Sequence, residues 1–176
     1  VLLNDWRASL AIAAMTGARF IRIDFFVDRV MTKLGPFEPE PEAILAYRQA
    51  IKAEQVQLFT DLQVKYTTPI GGPKPLALSA REAAAAGADA VIISGGETGI
   101  GPGPDGLRAA RGATPPGLIG GGLPPGNAAT LAPLCDGAIV GTSLRRGRTH
   151  RDPVVEGQGT RLVLALLPLS QATKPY

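Results

Sequence analysis

Cysteine and histidine are almost missing from these 176 residues: Cys135 and His150 each stand alone. No internal disulfide can form, no His/Cys/Asp grouping has the spacing of a zinc site, and no metal or other cofactor is expected. A chain so poor in cysteine suits a reducing compartment, and the cytoplasm is the expected setting. Long apolar runs are missing too. The longest near the end, residues 162–169, contains Pro168 and is far too short to span a bilayer, so membrane insertion is not expected. Charge of one sign is scarce, with 18 Lys and Arg against 15 Asp and Glu and a net charge of +3. Arg145, Arg146, Arg148 and Arg151 form the only basic cluster, and no aromatic residues interleave with it. Nucleic acid is therefore not an expected partner.

Apolar residues make up 45% of the chain, enough to drive folding of one domain over residues 1–176. Short apolar runs alternate with Ala-rich helical stretches, the pattern of βα units and a parallel sheet. Strands are expected over 1–3, 20–26, 57–64, 90–94, 117–120 and 137–140. Helices are expected over 5–16, 41–53, 76–86, 107–111, 127–134 and 154–167, with Gly17 and Gly87 as helix stops. Between them, the Pro- and Gly-rich stretch after residue 26 and Thr67–Pro75 (TTPIGGPKP) read as loops. The start on Val1-Leu2-Leu3 reads as the end of a strand.

Two architectures fit six strands each followed by a helix: an open doubly wound sheet, or six units of a (β/α)8 barrel. In 20–26, Ile21, Ile23 and Phe25 alternate with Arg22 and Asp24; in 58–65, Leu58, Thr60, Leu62 and Val64 alternate with Phe59, Asp61, Gln63 and Lys65. A parallel sheet sandwiched between two helix layers is apolar on both faces. Polar residues on one face near the strand end suit a barrel lumen, so a (β/α)8 TIM-barrel type with about six of its eight units is expected.

Two glycine loops carry the strongest chemical signal. Gly120-Gly121-Gly122 ends one strand and Gly141-Thr142-Ser143 the next. Glycines allow close approach of an anion to backbone N–H groups, and barrels often hold phosphate between their last two βα loops. The alternative is a pair of tight turns. A third loop, Ser94-Gly95-Gly96-Glu97-Thr98-Gly99, is expected to touch the same ligand through Ser94, Gly95 and Thr98. Gly99, Gly101 and Gly103 do not have the dinucleotide spacing, and Pro102 and Pro104 interrupt the turn.

Asp61 and Lys65 lie four apart on one expected strand, hence on one face, with Lys65 nearer the mouth. Such a lysine can meet a phosphate or carbonyl, and Asp24 can orient a hydroxyl or act as a general base. These three are the catalytic candidates; the competing reading is a set of internal ion pairs. Asp5 is expected to cap its helix, and Asn4 is a ligand candidate. His150 sits in an Arg-rich loop and is not expected to be catalytic. Glu38, Glu40 and Glu42, alternating with prolines, read as a solvated approach to a helix.

Five motifs in order resemble the BtpA/SgcQ family of membrane complex biogenesis proteins. They are Leu3-Asn4-Asp5, Arg19-Phe20-Ile21-Arg22, Asp61-Leu62-Gln63-Val64-Lys65, Ala90-Val91-Ile92-Ile93-Ser94-Gly95 with Thr98-Gly99, and Asp136 through Leu144 (DGAIVGTSL). The resemblance covers residues 1 to about 155. It implies a barrel related to ribulose-phosphate-binding enzymes, lacking here roughly its first two βα units, with a phosphate site and no settled reaction. Some members are named for photosystem I assembly; others carry nucleosidase or sugar-utilisation labels. The family's strand usually ends in Val-Lys-His, often with a second His shortly before, and here those positions are Tyr66 and Gln63. The expected ligand is a small phosphorylated sugar or nucleotide, self-association into a homo-oligomer is allowed, and the alternative is a non-catalytic assembly factor.

Overall fold

The computed structural model describes residues 4–96, 99–111, 115–147, 149 and 151–172, with side chains to residue 166. Five strands make one parallel sheet: β1 (Phe20–Ile23), β4 (Gln57–Leu62), β6 (Ala90–Ile93), β7 (Gly117–Ile119) and β8 (Gly137–Ala138). They neighbour one another in chain order with no reversal. The helices that accompany them are α1 (Trp6–Thr16), ahead of β1, then α2 (Pro41–Ala50), α3 (Leu76–Ala85), α4 (Pro104–Arg111), α5 (Pro125–Leu131) and, after β8, α6 (Gln158–Ala172). The expected strand at 1–3 lies outside the described residues. The sheet is open among the described residues, with β1 and β8 at its edges. No helix among them is long and apolar enough to cross a membrane.

Local chemistry sets the element ends. The Asp5 carboxylate accepts the Ala8 N–H at 3.0 Å, and Gly17 closes α1 at φ 74°, a left-handed conformation that glycine adopts freely. At the other end of the strands a device recurs. Asp89, just ahead of β6, accepts the Leu58 N–H of β4 at 2.8 Å; Asp136, just ahead of β8, accepts the Gly117 N–H of β7 at 2.8 Å. Each carboxylate satisfies an amide at the start of the neighbouring strand.

One sheet face forms the core. Ile21, Ile23, Leu58, Leu62, Val91, Ile93 and Ile119 pack with Trp6, Leu10, Ile44, Ala80, Ala83, Leu107, Ala128 and Leu131 from the helices in a single cluster. The opposite face is part polar. It carries the stacked pair Phe20–Phe59, ring centroids 4.3 Å apart, with Arg22 and Asp61 beside them.

Several expectations need correction. The Pro/Gly-rich stretch after residue 26 and the loop at 67–75 contribute a second, antiparallel sheet of β2 (Val30–Thr32), β3 (Gly35–Phe37) and β5 (Thr68–Pro69), in the order β3-β2-β5. Its prolines fall on the edge strands, where a missing N–H costs little. The strand expected over 57–64 stops at Leu62 because Gln63 turns to φ 50° and its N–H goes to Asp28. Likewise 20–26 is strand only to Ile23, and 137–140 only to Ala138. The helix expected at 107–111 begins at Pro104, and the last helix starts at Gln158 rather than at 154.

Candidate functional site

Most candidate residues gather at the C-terminal ends of the parallel strands, where α/β proteins build their sites. At the β1–β4 side, Arg22 clamps Asp61 through two parallel hydrogen bonds, Nε to Oδ2 and Nη2 to Oδ1, both 2.6 Å. Asp61 is almost fully buried, while the Arg22 side chain is 40% exposed. Burial pushes the Asp61 carboxyl above its ordinary value; the Arg22 hydrogen bonds and charge pull it down, Asp24 pushes it up, and Lys65 pulls it down. Arg22 is held still more firmly protonated, chiefly by the bond to Asp61. The pair is unbalanced: desolvation costs the carboxylate more than a half-exposed guanidinium returns.

Asp24 stands just past β1, close enough to act electrostatically on both partners. Lys65 is not on the strand, so it does not share a strand face with Asp61, although its charge still reaches that carboxylate. Asp24 and Lys65 thus both act on Asp61 through their charge, while Arg22 holds Asp61 directly. Sequence reasoning missed Arg22 as a site residue. Its signal was the alternation Arg22, Asp24 on the polar face, and its partner follows once β1 and β4 are adjacent in register.

Asn4 is committed to the backbone of Phe25: its amide donates to the Phe25 carbonyl at 3.3 Å and its oxygen accepts the Phe25 N–H at 3.0 Å. Ser94 donates to the Gly120 carbonyl at 3.4 Å. Gly95 and Gly101 pack backbone to backbone: a Cβ on Gly95 would stand 2.5 Å from the Gly101 carbonyl oxygen, and one on Gly101 2.6 Å from that of Gly122. Thr98 lies outside the described residues, as does His150.

The β7–β8 side differs. A Cβ on Gly120 would run into Ile92 and Ser94, and one on Gly122 into the backbone of Ile100 and Gly101. Gly121 has φ 121°, and Gly141 has open space around it. Thr142 and Ser143 lie in a single 3-10 turn, Thr142–Leu144. Ser143 is buried and its hydroxyl has no partner among the described residues; the side-chain oxygen of Asn127 at the start of α5 is likewise buried and unpartnered among them. The other end of that amide donates to the Gly122 carbonyl at 3.0 Å.

A third feature had no forecast. A cavity of about 440 Å³ opens between the β1–β2 connection, the segment after β4, and α3. Lys74 bridges Asp28 (2.8 Å) and Glu82, Ser79 donates to Asp28 at 2.8 Å, and the Gln63 amide donates to the Lys74 carbonyl at 2.7 Å. Burial pulls the Lys74 ammonium down, but its two carboxylate partners outweigh that and hold it above its ordinary value.

Fold and site together define a parallel α/β protein whose polar residues collect at the strand C-termini. The chain belongs to the BtpA family, whose pattern matches residues 1–166. It is 34% identical over 149 residues to the photosystem I biogenesis protein BtpA of Synechocystis, covering 83% of this chain and 51% of that protein. An uncharacterized protein of Archaeoglobus fulgidus is 32% identical over 148 residues, covering 84% and 58%. The chain spans between half and two thirds of the length of these relatives. A solved structure of a cube-shaped, highly porous protein cage, designed by fusing symmetric oligomeric domains, superposes with a TM-score of 0.58 at 19% identity, covering 98% of this chain and 52% of that one.

Proposed function

We propose that this chain is the larger part of a (β/α)8 barrel that binds a small phosphorylated sugar or nucleotide between its last two βα loops. The unbroken parallel strand order, with all helices packed on one sheet face, supports the barrel reading. The observation that carries the ligand reading is two buried polar atoms left unpartnered among the described residues, Ser143 Oγ in the turn after β8 and Asn127 Oδ1 in the first turn of α5. Native structures rarely leave such atoms unsatisfied. The Ser143 hydroxyl can donate to a phosphate oxygen, and the Asn127 oxygen can accept from a sugar hydroxyl. Gly121, Gly122, Gly141 and Thr142 would supply backbone N–H groups, and Gly120, whose N–H already donates to the Ile93 carbonyl at 2.7 Å, would supply only space. Asp24, Asp61 and Lys65 would face the rest of the ligand from the β1–β4 side.

Gly141→Val is the clean test, because the added side chain begins in open space and the glycine φ is not left-handed. It should weaken inorganic phosphate binding by about 2 kcal/mol or more, the loss of one or two charge-assisted hydrogen bonds. Calorimetric titration of wild type, Gly141→Val and Ser143→Ala, with circular dichroism as the folding control, measures this. Unchanged affinity in folded variants would reduce the loops to turns.

A second reading, a non-catalytic assembly factor for a membrane complex such as photosystem I, draws on one observation. The best-buried carboxylate at the strand ends, Asp61, is locked to Arg22 and is not free to move protons. The name of the Synechocystis relative points the same way. Ligand binding without turnover of any phosphorylated sugar would favour it.

A further inference from the structure

A cavity of about 380 Å³ lies beneath the tip of the β2–β3 hairpin, beside the segment that follows β4. Its volume is in the range of small-molecule pockets. Phe25 and Phe37 form one wall, tilted 42° with centroids 4.7 Å apart, and Tyr66 and Leu34 add apolar surface. Among the described residues, Lys33 and Lys65 are the only charged ones that line it, and neither makes an ion pair there. No carboxylate among the described residues lines the cavity, so its lining is positive, with Asp61 the nearby carboxylate that Lys65 acts on.

The walls are held in place. Asn4 grips the Phe25 backbone from both sides. The hairpin is braced by Thr32, whose hydroxyl donates to the Gly35 carbonyl at 2.9 Å and accepts the Leu34 N–H at 3.1 Å. Gln63 and Tyr66, flanking Lys65, both hold positive φ, at 50° and 60°, a strained conformation for non-glycine residues that recurs at ligand sites.

We propose that this cavity binds a flat aromatic ring carrying an anionic group, with the ring against Phe25 and Phe37 and the anion between Lys33 and Lys65. Aromatic faces select planar ligands through offset or edge contacts, and two unpaired ammonium groups select negative charge. The cavity shares Lys65 with the phosphate reading, but Lys33, Phe25 and Phe37 belong to it alone, and a probe without phosphate keeps the two readings distinguishable.

The probe is 2-naphthoate, which contains no phosphate. Cyclohexanecarboxylate keeps the charge without the flat ring, and 2-naphthalenemethanol keeps the ring without the charge. Calorimetry should find naphthoate bound about fivefold more tightly than either control. Lys33→Met should remove the advantage over the alcohol, and Phe37→Leu the advantage over the cyclohexane acid. Lys33 is exposed at a hairpin tip, so that variant folds whatever becomes of Phe37→Leu. Naphthoate affinity no better than the controls, or unchanged in folded Lys33→Met, would overturn the proposal.

Discussion

The two ends of the parallel sheet solve the problem of polar groups in opposite ways. At the β1–β4 end the polar groups nearest the core are paired within the protein: Arg22 with Asp61, Lys74 with Asp28 and Glu82, Asn4 with the Phe25 backbone. At the β7–β8 end, glycine backbones press together around Gly95, Gly101 and Gly122, and two polar atoms are buried without partners. The first end satisfies these groups internally; the second leaves two of them unsatisfied among the described residues. A carboxylate that looks catalytic in sequence can thus belong to the scaffold, while a serine in a glycine loop is left available.

Breaking the backbone packing at the β7–β8 end should have the largest effect. Gly122 sits at φ 68° with the Ile100–Gly101 backbone where a Cβ would go. Gly122→Ala combines conformational strain with overpacking and should cost about 3 kcal/mol or more, read from urea midpoints.

The Arg22–Asp61 clamp comes next. Arg22→Met leaves a buried carboxylate unpaired and should cost about 2 kcal/mol at pH 7, less than a fully buried pair because Arg22 is half exposed. The sign with pH follows from the raised Asp61 value. A carboxyl whose folded pKa exceeds its unfolded one destabilises the fold where it is ionised. That penalty fades as pH falls through the folded value, and is gone below the unfolded value. Removing Arg22 removes a downward pull, so the variant should recover stability over a wider acidic window than wild type. Arg22→Met combined with Asp61→Asn should lose this dependence. Urea melts across pH measure all three.

These contrasts mark what was legible in the sequence. The βα alternation, the Asp5 cap and the Gly17 stop depend on local chemistry and were readable, as was the polar alternation of Arg22, Asp24 and Asp61. The hairpin sheet was not, because Gly35, Pro36 and Pro69 carry turn signals even when they occupy edge strands. Nor was the early end of β4, since Asp61-Leu62-Gln63-Val64-Lys65 keeps strand alternation through the residue where the backbone turns. The bond that turns it, from Gln63 to Asp28, spans 35 residues. Partners that distant are fixed by topology, which periodicity does not encode.

Smaller effects sharpen the comparison. Asn4→Ala removes two hydrogen bonds to Phe25 and should cost about 1–2 kcal/mol in thermal or urea unfolding. On the β7–β8 side, burial raises the Cys135 thiol despite a backbone hydrogen bond from Gly137. At pH 8 it should react with a thiol-specific disulfide reagent more slowly in the folded protein than in urea, because less of it is thiolate. Equal rates would mean that this side opens readily.

The central claim is that the β7–β8 end is the incomplete one. Titration of isotopically labelled protein with inorganic phosphate, followed by amide chemical shifts, tests it residue by residue. The account predicts saturable shifts at Gly120, Gly121, Gly122, Gly141, Thr142 and Ser143, with Arg22, Asp61 and Gln63 little changed. Saturable shifts confined to the β1–β4 end, or none at the glycine loops, would contradict it.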